Sequence, residues 1–170
     1  MDQHLTPEQY FLNLANNDVS KYNELLTLSK QFISGALSSC VQFNGCGNNG
    51  KAIFIKLLEV LVKFNNIKIR RVESHWLEDD EMIELMVDYD YIIIHDADEF
   101  GSTKLVSLIN TVSSKINAKF ILITNKLTTI PGTIWTIHMN AVFTRHNKIE
   151  FYFNQWSETR KREYFNFIMK

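Results

Sequence analysis

The sequence has few cysteines, no excess of charge of either sign and no long apolar run. Its 170 residues include two cysteines, Cys40 and Cys46, and no further Cys or paired His at metal spacing, which argues against a disulfide framework and a zinc module. The 18 basic and 19 acidic side chains give a formal net charge of -1, so no overall attraction to DNA or to an acidic membrane is expected. No apolar run approaches the roughly 20 residues of a membrane helix, and no leader peptide is recognisable. We therefore expect a soluble, cytoplasmic protein.

The first residues predict a helical segment. Thr6 followed by Pro7 is typical of a helix start, with the threonine as N-cap and the proline in the first helical position. A second helix is predicted to begin near Asp18 and to end about Gly35, because apolar residues recur between them at helical spacing. We expect residues 1–36 to form an N-terminal helical segment that precedes the core.

The rest of the chain alternates short apolar strands with helices. The predicted strands are residues 39–43, 67–72, 91–94, 119–124 and 148–153. The predicted helices are residues 51–64, 78–87, 102–112 and 156–169. Residues 135–143 suit either a helix or a strand. Such alternation predicts an α/β fold with a parallel sheet covered on both faces, and with ligands bound outside the carboxyl ends of the strands.

A glycine-rich loop lies between the first predicted strand and the helix that follows. Its residues are Gly45, Cys46, Gly47, Asn48, Asn49, Gly50, Lys51 and Ala52. Glycines let backbone N–H groups surround phosphate oxygens, while the lysine and the helix N-terminus supply positive charge. The loop matches G-x-x-x-x-G-K-[ST] except that Ala52 replaces the hydroxyl residue that holds magnesium. It predicts a P-loop NTPase, a three-layer α/β/α sandwich with a mainly parallel five-stranded sheet.

An acidic segment follows the predicted strand 91–94. A P-loop ATPase needs one acid at such a strand end to hold the magnesium shell and another to orient the attacking water. Two registers are open. In the first, Asp96 is the first acid after the strand. In the second, which aligns better, His95 occupies the position of the metal-binding acid and Asp96 that of the catalytic acid. Asp96 and Asp98 are the candidate catalytic acids, and Asp96 is also the candidate metal ligand. A solvated acidic loop is the alternative.

Two further polar residues follow apolar stretches. Asn125 comes after the predicted strand 119–124, where its amide could orient water near a γ-phosphate, although Asn also commonly starts a turn. Arg145 follows another apolar stretch, and an exposed arginine there could reach the nucleotide of a neighbouring subunit. Both are candidate catalytic residues.

Four segments together resemble a known family. In order, GCGNNGKA, YIIIHDADEF, KFILITN and FTRHNKIEF resemble the Walker A, Walker B, sensor-one and arginine-finger regions of the AAA+ ATPases, over about residues 30–170. The short spacings and the run SETRKREYFNFIMK are most similar to the DnaA/Hda initiator group and to clamp-loader subunits. The resemblance implies a core at 37–170 that lacks most of the helical lid, a ring or filament in which Arg145 acts in trans, and work on replication machinery.

The departures from the family pattern bear on chemistry. Ala52 and, in the second register, His95 replace the residues that normally organise magnesium. ATP or ADP is thus the expected cofactor, Mg²⁺ has weaker support, and hydrolysis should be weak or absent. We predict a nucleotide-binding module in a homo- or hetero-oligomer with replication proteins, touching DNA directly or through partners. The alternatives are a superfamily-three viral-type helicase domain, favoured by Asn49-Gly50-Lys51, and a non-enzymatic interaction module on a P-loop fold.

Overall fold

A computed structural model describes residues 4–45, 50–125, 135–139 and 153–170 of the chain. The chain divides into two compact units. One unit, which is helical, comprises residues 1–36, 48–66 and 139–170, and the other, which contains the sheet, comprises residues 37–47 and 67–138. Among the described residues, no helix is both long and apolar enough to cross a membrane.

The described residues of the helical unit include four α-helices. They are α1 (Pro7–Leu14), α2 (Val19–Ser34), α3 (Lys51–Leu61) and α6 (Glu158–Met169). Helices α4 and α5 belong to the other unit and are described below. The predicted cap of α1 is confirmed, since the Gln9 N–H donates to Thr6 Oγ1 at 3.2 Å and the Thr6 N–H donates to Gln9 Oε1 at 3.0 Å. The predicted ends of α2 are confirmed too: Asp18 caps its start, and Gly35, with φ of 76°, ends it in the left-handed conformation that glycine adopts without strain.

Aromatic rings form much of the core of the helical unit. Tyr10 meets Phe11 edge-on with ring centres 5.5 Å apart, and Phe11 meets Phe54 of α3 in the same way at 6.0 Å. Tyr164 of α6 lies 5.8 Å from Tyr10, and its hydroxyl donates to the carbonyl of Leu5 at 2.9 Å. Helix α6 is therefore joined to α1 by ring packing and to Leu5, just before α1, by a hydrogen bond.

Within the part of the sheet unit that the structure describes, there are five parallel strands. They are β1 (Val41–Asn44), β2 (Ile69–Glu73), β3 (Tyr91–His95), β4 (Lys119–Thr124) and β5 (Trp135–His138). Their order is β2-β3-β4-β1-β5, and all neighbouring pairs are parallel. Since parallel strands run in one direction, their carboxyl ends lie at the same edge of the sheet. The predicted α/β fold with a parallel sheet is confirmed.

One apolar cluster holds the helices of this unit against its sheet. Helices α4 (Asp80–Glu84) and α5 (Ser102–Ser113) contribute buried residues to it, together with alternate residues of β2, β3 and β4. The cluster includes Val72, Ile83, Ile92, Ile94, Leu105, Ile109, Val112, Phe120 and Leu122. The intervening strand residues, such as Ile93 and Ile121, are buried as well, as the near-continuous apolar runs of a parallel sheet require.

Two predicted helices are shorter than expected. Only α4 forms within predicted helix 78–87: the Asp79 side chain accepts the Glu81 N–H at 3.0 Å and caps the start of the helix, which ends at Glu84. Leu85 and Val87, counted as part of that helix, lie beyond its end and are exposed. Predicted helix 51–64 ends as α3 at Leu61 and continues as a tighter turn over Val62–Asn65.

The last strand of the sheet differs from the one predicted. Residues 135–143 were ambiguous between helix and strand, and Trp135–His138 of this stretch forms β5 beside β1. Of the predicted strand 148–153, residues 148–152 lie outside the described residues. The final residue, Phe153, begins a short 3₁₀ turn, Phe153–Gln155, rather than ending a strand.

Candidate nucleotide site

The described part of the glycine-rich loop consists of its two ends. Gly45 directly follows β1, and Gly50 caps the N-terminus of α3 with φ of 88°, a conformation that glycine adopts and other residues rarely do. Glycine offers no side-chain oxygen to the first turn of α3, so the helix N-terminus is suited to an anionic ligand instead. The side chain of Lys51, the first helical residue, is 5% exposed, while Ala52 is exposed.

The acidic turn after β3 brings two of the predicted residues together. Asp98 lies in a 3₁₀ turn, Ala97–Glu99, and its Oδ2 accepts the backbone N–H of Asn125 at 2.7 Å. Asp96 begins the turn in a left-handed conformation, with φ of 50°, and is exposed. The carboxyl ends of β3 and β4 are therefore linked through Asp98 and Asn125.

The last residue of β3, His95, is held by the neighbouring strand. Nη1 of Arg71 in β2 forms a hydrogen bond with Nε2 of His95. Because a guanidinium only donates, Nε2 of the imidazole must accept, and the proton of a neutral ring then lies on Nδ1. This contact engages His95 within the protein and favours a role in joining β2 to β3 over one in binding a metal.

A chain of buried and partly buried polar groups crosses from β5 through β1 to β4. The hydroxyl of Thr136 donates to Gln42 Oε1 at 3.0 Å, and Gln42 Nε2 donates to Thr124 Oγ1 at 3.0 Å. The Thr124 hydroxyl in turn donates to Asn44 Oδ1 at 2.8 Å. The carbonyl oxygen of Phe43, at 3.4 Å, is a second acceptor for the same hydroxyl. These hydrogen bonds link β5, β1 and β4 and polarise one another.

The chain ends in an unsatisfied donor. Asn44 is 0% exposed, and its Nδ2 has no hydrogen-bond partner in the part of the chain that the structure describes. Asn44 directly precedes Gly45, the first residue of the glycine-rich loop. The sequence did predict this edge of the sheet as the ligand edge but did not single out Gln42, Asn44 or Thr124. The available signal was the pair of amides within the otherwise apolar strand β1.

The remaining site predictions lie outside the described residues. They concern Cys46, Gly47, Asn48, Asn49 and Arg145, whose roles stay predictions. Across the ranges that the structure does describe, no group of three or more His, Cys, Asp or Glu side chains is arranged to hold a metal ion. The assignment of Asp96 as a magnesium ligand also stays a prediction.

Comparison with known proteins yields matches in structure but not in sequence. The sequence matches no protein-family model and no curated protein. The A-form apo structure of the NrS-1 C-terminal region matches with a TM-score of 0.56 and 12% identity, over 96% of this chain and 42% of that one. AMPPCP-bound DnaA from Aquifex aeolicus matches with a TM-score of 0.56 and 12% identity, over 95% of this chain and 59% of that one.

These likenesses establish the fold. The chain spans 42% of the first structure and 59% of the second, so each contains substantial further chain. The sequence prediction of a P-loop α/β fold resembling the DnaA group is confirmed at this level, with a five-stranded parallel sheet in the order given above. The chain therefore shares an α/β fold with these two structures.

Proposed function

We propose that this chain is a nucleotide-binding, AAA+-like module that binds ATP or ADP through residues 45–52. The observation that carries this proposal is the G-x-x-x-x-G-K sequence placed between β1 and α3, with Gly50 and Lys51 at the start of an 11-residue helix. A helix N-terminus with an adjoining lysine stabilises phosphate charge. The likeness of the fold to a DnaA bound to AMPPCP supports the same assignment.

In this proposal the module works in replication assembly or its regulation. Its partners are replication proteins in a homo- or hetero-oligomer in the cytoplasm, where Arg145 would reach the nucleotide of a neighbouring subunit. DNA is contacted directly or through those partners. Residues 1–36 would form an N-terminal helical segment and residues 37–170 the P-loop core. The fold shared with DnaA supports this setting.

The proposed site is better suited to holding nucleotide than to hydrolysing it. Ala52 has no hydroxyl for magnesium, and His95 is engaged by Arg71. One carboxylate oxygen of Asp98 accepts the backbone N–H of Asn125. Asp98 therefore links the ends of β3 and β4, in addition to being a candidate catalytic acid. When bound, Mg²⁺ would neutralise phosphate charge, with Asp96 as its proposed protein ligand.

The first expected result is stabilisation by nucleotide. A ligand that binds only the folded chain adds about 2.7 kcal/mol of stability at a free concentration 100 times its Kd. We therefore expect the thermal midpoint to rise with ATP or ADP in a concentration-dependent manner, as measured by differential scanning fluorimetry or calorimetry. Adenosine is the matched control, because it keeps the base and ribose but lacks the phosphates that the loop would bind. An unchanged midpoint with both nucleotides would favour the non-enzymatic interaction module.

The second expected result is slow hydrolysis of ATP. Because Ala52 lacks the hydroxyl that normally holds magnesium, the chain should release phosphate from ATP well below about 1 per second, the slow end for working enzymes. The measurement is steady-state phosphate release with and without Mg²⁺, alone and with DNA. A Lys51→Ala preparation made in parallel reports any contaminating ATPase. Magnesium-dependent release at or above that rate would contradict the proposal, and accompanying strand separation would favour the helicase alternative.

A further inference from the structure

We propose that a polar cleft in the helical unit binds a small ligand that carries an oxyanion, a carboxylate or a phosphate group, and that Arg160 recognises this group. The cleft has a volume of about 480 Å³, which lies within the range of small-molecule sites. Its lining comes from the residues that lead into α1 and from the start of α6, and it includes Thr6, Trp156, Ser157, Arg160 and Glu163. All of these residues belong to the helical unit.

The guanidinium of Arg160 is held in place by an aromatic ring. Its Cζ lies 3.7 Å from the centre of the Trp156 ring, so the two planar groups are in direct contact. The Trp156 ring in turn packs against the rings of Phe153 at 4.7 Å and Tyr164 at 4.8 Å. Because these contacts already order the arginine, it loses little further side-chain freedom when a ligand binds. The positive group of the cleft is therefore preorganised.

This guanidinium has no counter-ion among the described residues. None of the ion pairs between those residues includes Arg160, and its Nε is buried without a hydrogen-bond partner there. A buried donor without an acceptor costs free energy, and native structures leave few such groups unsatisfied. The planar guanidinium binds two oxygens of a carboxylate or phosphate at once, through charge-assisted hydrogen bonds. An oxyanion is therefore the ligand group that suits Arg160.

Two hydroxyl groups add donors to the cleft. Thr6 Oγ1 accepts the Gln9 N–H at 3.2 Å, and Ser157 Oγ accepts the backbone N–H of Arg160 at 3.2 Å. Each hydroxyl accepts a bond from its own helix and keeps its hydrogen as a donor. Of the described residues that line the cleft, Glu163 is the acidic one, and it is exposed, so solvent screens its repulsion of an anion. One cation and two hydroxyl donors thus face the ligand.

The test follows the Arg160 Nε–H signal of the wild-type chain by NMR while small anions are added. Because this N–H is buried, its proton is protected from exchange with water and the signal is observable. Inorganic phosphate and glutarate are the probes, and sodium chloride and neutral glutaramide are the matched controls at constant ionic strength. We expect at least one probe to shift the signal saturably with a Kd of about 1 mM, the value that two charge-assisted hydrogen bonds would give. The probe that binds identifies the oxyanion as phosphate or carboxylate.

Three variants, followed through the indole N–H of Trp156, identify the residue responsible. Arg160→Lys keeps the charge but loses the planar group that binds two oxygens, so it should raise the Kd about tenfold. Arg162→Ala is the matched control, because Arg162 lies on the same helix but over the ring of Phe64 at 4.6 Å, and the Kd should stay within about twofold. Glu163→Gln removes a negative charge from the cleft and should lower the Kd by about two- to threefold.

Two results would overturn the proposal: no saturable shift with either probe, or an equal loss of affinity in Arg160→Lys and Arg162→Ala. Lys51→Ala separates the cleft from the glycine-rich loop, since it should leave the Kd at the Arg160 signal within about twofold. If Lys51→Ala abolishes the phosphate response and glutarate gives none, the loop and not the cleft is the anion site. The proposal does not require nucleotide binding, so the failure of either leaves the other standing.

Discussion

Replacing Phe120 with alanine is expected to lower the free energy of unfolding by about 3–5 kcal/mol. Phe120 lies in β4, is fully buried and belongs to the apolar cluster that joins α5 to the sheet. Removing its ring leaves a cavity among residues that come from several elements, including Ile92, its register partner on β3. Because small domains are stable by only about 5–15 kcal/mol, this single change would remove a large share of the stability.

The measurement is urea unfolding followed by tryptophan fluorescence and circular dichroism. Leu85→Ala is the control in the same unit, because that leucine is 54% exposed and should cost less than about 0.5 kcal/mol. Phe120→Leu keeps most of the volume and should cost less than about 1.5 kcal/mol, so it reports on the site even if the alanine variant does not fold. Equal effects of Phe120→Ala and Leu85→Ala would show that the cluster is not the core described above.

Replacing Lys51 with alanine is expected to weaken nucleotide binding by about 2–3 kcal/mol, roughly a 30- to 150-fold rise in Kd. The lysine begins α3 and is 5% exposed, so its ammonium group would meet phosphate where water screens the charge little. The loss should be greater for ATP and ADP than for AMP, since a P-loop lysine reaches the outer phosphates. Isothermal titration of the three nucleotides measures the difference.

Two companion variants separate charge from position. Lys56 lies on the same helix and is exposed, so Lys56→Ala removes an equal charge without touching the loop and should leave Kd within about twofold. Lys51→Arg keeps the charge with a different shape and should recover part of the affinity. If Lys51→Ala and Lys56→Ala weaken binding equally, the loop is not the phosphate site.

Local signals made much of the fold predictable. The caps of α1 and α2 depend on residues within a few positions of each helix end, so Thr6, Asp18 and Gly35 could be assigned from sequence alone. The strand Lys119–Thr124 was predicted with its observed bounds because its apolar residues are consecutive and strongly β-forming. The order of the strands could not be predicted in this way, because it depends on pairings between distant residues.

The unpredicted features have a common physical origin. The short strand Trp135–His138 is specified by its pairing with β1. Its four residues are too few to show the alternation of apolar and polar side chains that would predict a strand from sequence. The polar chain that ends at Asn44 depends on Gln42 meeting Thr124 and Thr136 across three strands. The contact of Arg71 with His95 also crosses two strands. Sequence identified residues that could act at the sheet edge, whereas tertiary pairing decided their partners.

The position of β1 in the sheet has a consequence for how the chain folds. Both of its neighbours come late in the sequence, since Val41 pairs with Ile121 and with Trp135. Non-local parallel pairings are slow to form because loop closure precedes any gain in contacts. On the ribosome, β2 and β3 can pair first, whereas the buried strand β1 has no partner until β4 emerges. We therefore expect β1 to be the segment of the nascent chain that most needs protection from aggregation.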